Sequence, residues 1–436
     1  MAIRLLHLAI VFSLALGSTL ALADAVDASL RAEATFGTAT ETSQSVAGEI
    51  LLIPSLELAT GDATSFVTSA RLRVDTEDLL EPGRANTEAF SHASKPINLG
   101  NAGTLELLDF YLEHRTDTST FRLGKQQIVW GRLDGLKILD LLNPQDFREF
   151  ILDDFSDSRI SLWSAYLDLS AGDWRAELAI VPDATGHAIP NAGAWFELKA
   201  PRFRFGAPPT GPTPPLITDR PAFGVDEAAL GLRLSRQIGR TEFSAVAYTG
   251  VDPEPLGRLV ALPSGPAVER YFERRQAFGL SAERSVGPLV VRAEYAVQPD
   301  RYFNLQTPAG LDAVELDQHR GAIAFDWSAP FDVYVNAQYL VDRVRDRPDS
   351  LVRPGTDRIG TLFARKSIGY DRFSVELRWY HSFSDDDDMG AASFSWRVGD
   401  NTTLQTRVET FSGSRNGLFG QFDDRGRALI AVEHIF

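Results

Sequence analysis

From about residue 29 onward, apolar and polar residues alternate with period two, in blocks of roughly nine to thirteen residues. In 331–342, Val333, Val335, Ala337, Tyr339 and Val341 form one face, and Tyr334, Asn336, Gln338 and Asp342 the other. In 373–383, Phe373, Val375, Leu377 and Trp379 oppose Ser374, Glu376, Arg378, Tyr380 and Ser382. Leu289, Val291, Ala293, Tyr295 and Val297 oppose Arg292, Glu294 and Gln298; near the start, Leu30, Ala32, Ala34 and Phe36 oppose Arg31, Glu33 and Thr35. Strands with one apolar and one charged face fit a half-buried sheet of a soluble protein. They also fit a barrel with lipid outside and water inside.

The connections decide between these. Eighteen strands are predicted, at about 29–37, 46–58, 65–76, 104–114, 118–130, 160–171, 174–182, 226–237, 241–250, 274–286, 288–298, 316–328, 331–342, 357–369, 372–384, 389–398, 401–412 and 426–436. Tight links such as Gly172-Asp173, Gly239-Arg240, Gly287-Pro288 and Gly399-Asp400 alternate with links that are mostly long, including 77–103, 131–159, 183–225, 251–273, 299–315, 343–356 and 413–425. Short periplasmic turns and long extracellular loops are the pattern of an outer-membrane barrel. The fold expected is therefore all-β, a transmembrane antiparallel β-barrel of about eighteen strands. Sixteen is the alternative, because the second strand contains Pro54. Aromatics lean toward strand ends, among them Phe36, Trp130, Trp174, Trp327, Phe331, Tyr370 and Phe383, as in interfacial girdles.

The two ends of the chain agree. Ala428, Ile430, Val432 and Phe436 share a face of the last strand, which must pair with the first if no edge is to be left. Phe436 is then the expected assembly signal for the barrel-insertion machinery, although His434 stands where such strands more often carry an apolar residue. At the start, Arg4, an apolar run to Leu22 and the small-residue site Ala21-Leu22-Ala23 read as a secretory signal peptide, residues 1–23, cleaved near Ala23. Residues 24–436 then form one barrel domain in the outer membrane of a Gram-negative cell.

Composition narrows the chemistry. The chain has no Cys, which excludes disulfides, thiolate metal sites and Cys nucleophiles. The net charge of −16 argues against a nucleic-acid partner. Its 43 cations are 38 Arg and 5 Lys, and Arg suits rigid, permanently charged contacts along a pore as well as a high-GC codon bias.

The connection 131–159 holds Leu136, Leu139, Leu142, Phe147, Phe150, Ile151 and Phe155, too much apolar surface for a solvated loop. A folded segment packed into or across the lumen is expected, with a short helix starting at Asn143-Pro144. The alternative is a lid over the extracellular mouth. Its charges, Arg132, Asp134, Lys137, Asp146, Arg148, Glu149, Asp153, Asp154, Asp157 and Arg159, are the candidate pore constriction, with Asp153, Asp154 and Asp157 expected beside Arg148 and Arg159.

Residues Arg122-Leu123-Gly124-Lys125-Gln126-Gln127-Ile128-Val129-Trp130-Gly131, followed by Asp134 and Asn143-Pro144-Gln145-Asp146, resemble the strand-and-loop signature of Gram-negative porins of the alginate-export type and related barrels. The resemblance covers about 40 residues. It implies an 18-stranded barrel with a charged lumen, and an alginate exporter would have a strongly basic one. This chain departs from that. The polar strand faces carry Arg71, Arg73, Arg122, Arg175, Arg233, Arg292, Arg378 and Arg407 against Glu113, Glu177, Glu294, Glu376 and Glu409, with further residues of both signs. Such near balance fits ion pairs that brace a wall and equally a ladder of charges along a pore.

Three other segments carry weaker signals. The Pro-rich connection 183–225 reads as a semi-rigid surface loop. Asp385-Asp386-Asp387-Asp388 reads as a solvated acidic tip, with divalent-cation bridging of lipopolysaccharide as the alternative. His381 near Ser382 and Asp385 is the sole local hydrolase candidate, without any HExxH or GxSxG context. The function expected is a porin-like channel for passive passage of small polar or charged solutes, not an enzyme, with no cofactor and no metal. The alternatives are a polysaccharide export channel and a barrel hydrolase. Expected partners are outer-membrane lipid and lipopolysaccharide, the insertion machinery and the solute.

Overall fold

The computed structural model describes residues 25–436, apart from 155, 205–214, 221 and 309. The expected signal peptide lies outside these residues, as do Phe155 and several of the prolines of 183–225. The strands are β1 (Val26–Ala39), β2 (Ser45–Gly61), β3 (Thr64–Asp75), β4 (Ile97–Leu99), β5 (Gly103–Arg115), β6 (Ser119–Gln126), β7 (Leu162–Ala171), β8 (Trp174–Val181), β9 (Leu216–Thr218), β10 (Ala229–Ile238), β11 (Thr241–Val251), β12 (Leu256–Leu262), β13 (Gly265–Tyr271), β14 (Arg274–Val286), β15 (Leu289–Thr307), β16 (Gly310–Ala329), β17 (Val333–Val344), β18 (Thr356–Ile368), β19 (Phe373–Ser382), β20 (Asp387–Arg397), β21 (Thr402–Ser412) and β22 (Arg427–Ile435).

Without β4, β9, β12 and β13, these are eighteen strands, and they close into one antiparallel barrel. The seam is β1 against β22, in register from Arg31↔Ile435 to Ala39↔Arg427. Leu30 and Phe436 extend it by exchanging backbone hydrogen bonds at 3.3 and 3.0 Å. With every strand paired on both sides, no row of amides is left facing hydrocarbon. No helix among the described residues is long and apolar enough to cross a membrane.

Burial is inverted relative to a soluble protein. In β10, Leu230, Leu232 and Leu234 are exposed, while Arg233 and Ser235 are buried. In β14 the outward Leu280 is 60% exposed. Period-two alternation directs one set of side chains outward and the other inward. Leucines that would be costly in water are at home in lipid, and charges that would be costly in lipid face the lumen.

The eighteen expected strands are the eighteen of the barrel, Pro54 included. Pro54 sits opposite Leu30 in the β1–β2 ladder, while the β2–β3 ladder skips from Leu52↔Leu72 to Ser55↔Ser69. The missing N–H is thus absorbed by a local gap, and the strand is not lost. Three stretches differ from expectation. β6 stops at Gln126, four residues before the expected end, because the chain turns into the lumen there. The expected loop 299–315 is instead a continuation of β15 and β16, 19 and 20 residues long, beyond the ~9–11 that span a bilayer. Its projecting part is held by Phe303 packed with Val344 and Leu351, and by Leu305, Val314 and Leu316 around them. The expected loop 251–273 contains the β12–β13 hairpin, joined by β9 in a small separate sheet.

The short-turn end belongs to the periplasm if the barrel obeys the outer-membrane rule. Cysteines placed singly at Thr116, Asp173 and Asp400, all exposed turn residues, should resist an impermeant maleimide on intact cells. Cysteines at Ser264 and Ser414, exposed in the long loops, should react. Equal labelling of both sets would reverse or abolish this orientation.

Candidate functional site

Residues 127–161 run through the inside of the barrel. The segment leaves the wall after Gln126, and Asn143 ties its two ends. The Asn143 side chain accepts from Ile128 N at 2.8 Å and donates to Ile160 O at 2.8 Å and Gln126 O at 3.5 Å. Gln127 donates to Ser156 O and Arg159 O at 3.0 and 3.1 Å. The expected helix at Asn143-Pro144 does not form. Backbone groups that a helix would use are taken by bridges, Gln145 with Arg159 and Asp146 with Ala188. The Asp146 carboxylate, which would have capped a first turn, is held by the Arg148 guanidinium, Nε at 2.8 Å.

The first arm of the loop packs on one side of the lumen. Trp130, Ile138, Leu139, Leu141 and Leu142 join inward residues of β7, β8, β10, β11 and β14 to β17, such as Tyr166, Val246, Ala277 and Leu340, in one cluster. Two glycines make room for it. A Cβ at Gly231 would lie 2.5 Å from the Trp130 ring, and one at Gly279 would collide with Leu139. The second arm crosses to the opposite side. Phe150 and Leu152 pack with Met389 and Phe411 of the wall, and with Trp195, Phe196, Phe419 and Phe422 from two other loops.

Charges lock both arms to the wall. On the first arm, Arg132 pairs with Glu242, and its backbone N–H donates to Glu294, which also accepts from Leu139 N at 3.1 Å. Asp134 lies 3.3 Å from Arg292, which itself pairs with Asp326 at 2.7 Å. Lys137 donates to Gln145 and to Ser158 at 3.1 Å, and Arg159 pairs with Asp140 at 2.6 Å. On the second arm, Asp146 takes Arg148 and approaches Arg71 at 3.6 Å, while Glu149 pairs with Arg427. Asp154 reaches Arg378 at 3.5 Å, and Asp157 reaches Arg31 at 2.9 Å. The expected cluster of Asp153, Asp154 and Asp157 beside Arg148 and Arg159 is therefore corrected. Those two cations are taken by Asp146 and Asp140; Asp154 and Asp157 reach wall arginines, and Asp153 lies within the field of Arg73.

The wall residues are themselves paired. Arg71 meets Glu106 at 2.6 Å, Arg73 meets Glu49 at 3.1 Å and Arg122 meets Glu113 at 2.6 Å. Arg175 meets Asp168 at 2.8 Å, Arg233 meets Glu177 at 3.4 Å, Arg378 meets Glu376 at 3.5 Å and Arg407 meets Glu409 at 2.9 Å. Many partners come from neighbouring strands, as register dictates. A second network was not foreseen from sequence. Arg301 holds Asp252 and Glu254, each at 2.6 Å; Arg353 holds Asp342 and Asp357 at 3.2 and 2.8 Å; Arg202 holds Asp357 and Asp385 at 3.0 and 3.3 Å. Strand parity places Asp342 and Asp357 inward; nothing in the sequence places Arg202, Asp252 or Glu254, which come from loops.

Burial alone would raise the Asp146 carboxyl, but the charge and hydrogen bond of Arg148, with Arg71 and Arg73 beyond, hold it well below the usual carboxylate range. Asp153 goes the other way. Burial and then the Glu149 charge push it up to about 7, against the pull of Arg73. Lys137 is lowered to about 8 by burial, partly offset by Asp140. One loop thus carries a permanently ionised acid and one that titrates near neutrality.

The loop divides the lumen into two spaces. One, of about 350 Å³, lies between the second arm and β1, β2, β3 and β19 to β22. The other, of about 1070 Å³, lies between both arms and β14 to β19 under the extracellular loops. Ile151, Asp153, Asp154 and Arg378 line both, and so stand between the two spaces.

The acidic run 385–388 is not simply a solvated tip. Asp387 is buried and accepts from Phe419 N and Gly420 N at 2.7 and 2.9 Å, anchoring the 413–426 loop. No group of three or more potential metal ligands occurs among the described residues. The hydrolase candidate is not assembled. His381 stacks on Trp379 and pairs with Asp388 at 2.9 Å on the lipid side, while Ser382 is buried on the opposite face of β19.

Residues 68–432 match a family described as a protein of unknown function, DUF1302. The chain belongs to that family. Among proteins of curated function, none matches it in sequence. Among solved structures it is similar to OccAB1 of Acinetobacter baumannii, with 10% identity over 94% of this chain and 96% of that one and a TM-score of 0.52. OccK2 (OpdF) of Pseudomonas aeruginosa, solved with glucuronate, gives 10% identity, 95% and 98% coverage and a TM-score of 0.52. OpdK of the same organism, solved with vanillate, gives 11%, 95%, 99% and 0.51. At these identities the likeness is one of fold, and the fold is that of outer-membrane porins.

Asn143 carries three hydrogen bonds at the root of the loop, each worth about 1 kcal/mol. Asn143→Ala should raise amide hydrogen exchange across 127–161 at least tenfold and leave the barrel strands unchanged. Unaltered exchange in the loop would mean that the apolar clusters alone hold it.

Proposed function

We propose that this protein is an outer-membrane channel for passive passage of small polar or charged solutes. The observation that carries the reading is the lumen divided by 127–161 into two spaces with Ile151, Asp153, Asp154 and Arg378 between them, which we read as a neck joining the two. Diffusion through such a neck needs no cofactor and no energy source. Fixed charges at a narrow point filter ions more strongly than the same charges at a surface, because screening and solvation are reduced there. Glucuronate and vanillate in the OccK2 and OpdK structures are small anions, in keeping with this class of solute.

A polysaccharide export channel is the weaker reading. The resemblance of 122–146 to alginate-export-type barrels is carried by neither the family match nor the structural neighbours. A long anionic polymer needs an open basic passage, whereas the wall cations here are paired with carboxylates. The last strand, whose outward face ends on Phe436, is proposed as the contact for the barrel-insertion machinery.

A planar-bilayer recording, with conductance and reversal potential in a salt gradient, tests the channel. Deletion of about residues 136–155 should raise single-channel conductance severalfold, and neutralising Asp153 and Asp154 should shift selectivity toward anions. A correctly folded deletion variant with unaltered conductance and selectivity would remove the neck from the proposal.

The raised Asp153 carboxyl adds a pH signature. Below about pH 7 it is neutral; as pH rises through that value it gains a negative charge in the neck. Cation preference should therefore be greater at about pH 8.5 than at about pH 5.5, and Asp153→Asn should flatten the difference. A variant that keeps the full dependence would assign the titration elsewhere.

A further inference from the structure

The larger space is apolar where a plain aqueous passage would be polar. Leu136 and Ile151 from the folded loop, Ile189 and Phe203 from the 182–228 connection, Leu418 from the 413–426 loop and Tyr380 from the wall all line it. Each is only partly buried, with one side packed on the two hydrophobic clusters that hold the loops in place. The other side is left toward the space. Apolar surface kept facing a water-filled space is unfavourable unless something apolar covers it. Here it comes from three loops and two sides of the lumen, so it is a lining and not a single stray side chain. The volume, about 1070 Å³, is that of a site for a drug-sized ligand.

The charged part of the lining holds eight Arg and eight Asp or Glu residues, and most of the cations are paired. Arg301 and Arg353 each hold two carboxylates. Arg320 has a single, long carboxylate contact. Its carboxylate partner among the described residues is Asp342 at 3.4 Å. Asp342 also faces Arg353 at 3.2 Å and accepts two hydrogen bonds from Gln318, at 2.7 and 2.9 Å. The contact with Asp342 is made by the buried Arg320 Nε, which makes no hydrogen bond among the described residues. Arg320 and the apolar residues line the same space.

We propose that this chamber is a binding site for amphipathic small acids, molecules with an aromatic or aliphatic body and one anionic end. The body covers Phe203, Ile189, Leu418 and Ile151, and the anionic end takes Arg320. The inference rests on the channel reading for its biological meaning and narrows the solute from any small polar species to one with an apolar body. Charge alone does not make the selection, since a sugar acid brings the same anion but leaves the apolar lining uncovered.

The test compares two acids of equal charge, 4-phenylbutyrate and gluconate, on the full-length protein in planar bilayers. 4-Phenylbutyrate should interrupt the current at concentrations at least about tenfold below those of gluconate. The ratio of the two block constants is the readout, so a change in open conductance cancels. Phe203→Ser with Ile189→Ser should reduce that ratio at least about fivefold, and Leu418→Ser alone should move it in the same direction. Arg320→Gln should weaken block by 4-phenylbutyrate and leave block by the neutral 4-phenylbutyramide unchanged. Equal block by the two acids, or a ratio that none of the serine variants moves, overturns the proposal. Saturation-transfer NMR of 4-phenylbutyrate on nanodisc-embedded protein, against empty nanodiscs, reads the chamber without current. Binding without conductance would overturn the channel reading and keep the site; conductance without discrimination and without binding would keep the channel and remove the site.

Discussion

Closure of the β1–β22 seam is the constraint on which everything else depends. A backbone amide facing hydrocarbon without a partner costs several kcal/mol. A barrel avoids that cost only when its last strand finds its first. The register from Arg31↔Ile435 to Ala39↔Arg427 does this. Once the ring is closed, the pleat assigns every side chain to lipid or lumen. An outer surface of Leu, Phe and Trp follows, and so does an inner surface crowded with Arg, Asp and Glu.

That crowding creates the second problem. Charges on an inner wall, partly cut off from bulk water, are tolerated when they are paired and hydrogen-bonded. The folded loop helps to solve it. Arg132 serves Glu242 and offers its backbone N–H to Glu294, Glu149 serves Arg427, and Asp157 serves Arg31. The apolar half of the same segment fills hollows that the wall provides, Trp130 over Gly231 and Leu139 over Gly279. The loop is therefore part of the wall's charge balance as well as an obstruction in the lumen. Because most lumen cations are neutralised, the proposed selectivity rests on few features: the neck at Asp153, Asp154 and Arg378, and the apolar lining of the larger space.

The extracellular loops repeat the same logic at the mouth. Asp387 uses one carboxylate oxygen to hold two consecutive amides of the 413–426 loop. Phe419 and Phe422 of that loop then pack on Phe150 from within the lumen. Loops of three different origins in the chain are thereby fastened into one body above the neck. Among their described residues, these loops hold no helix longer than a single 3-10 turn.

Strand number, orientation of each strand face and the alternation of short and long connections were determined by the sequence alone. These follow from local rules of pleating and turn chemistry, which need no knowledge of distant partners. The residue types on the lumen wall were legible for the same reason. The apolar content of 131–159 was enough to bring that segment inward, but its conformation was not local. Asn143-Pro144 reads as a helix start until Ile128, Ile160 and Arg148 claim the groups a helix needs. Which acid meets which cation was decided only by the closed barrel, because Asp154 and Arg378 are brought together across more than two hundred residues of chain. The amphipathic chamber was invisible for the same physical reason. Its lining comes from three loops and the wall, and no periodicity connects residues that become neighbours only when the ring is shut.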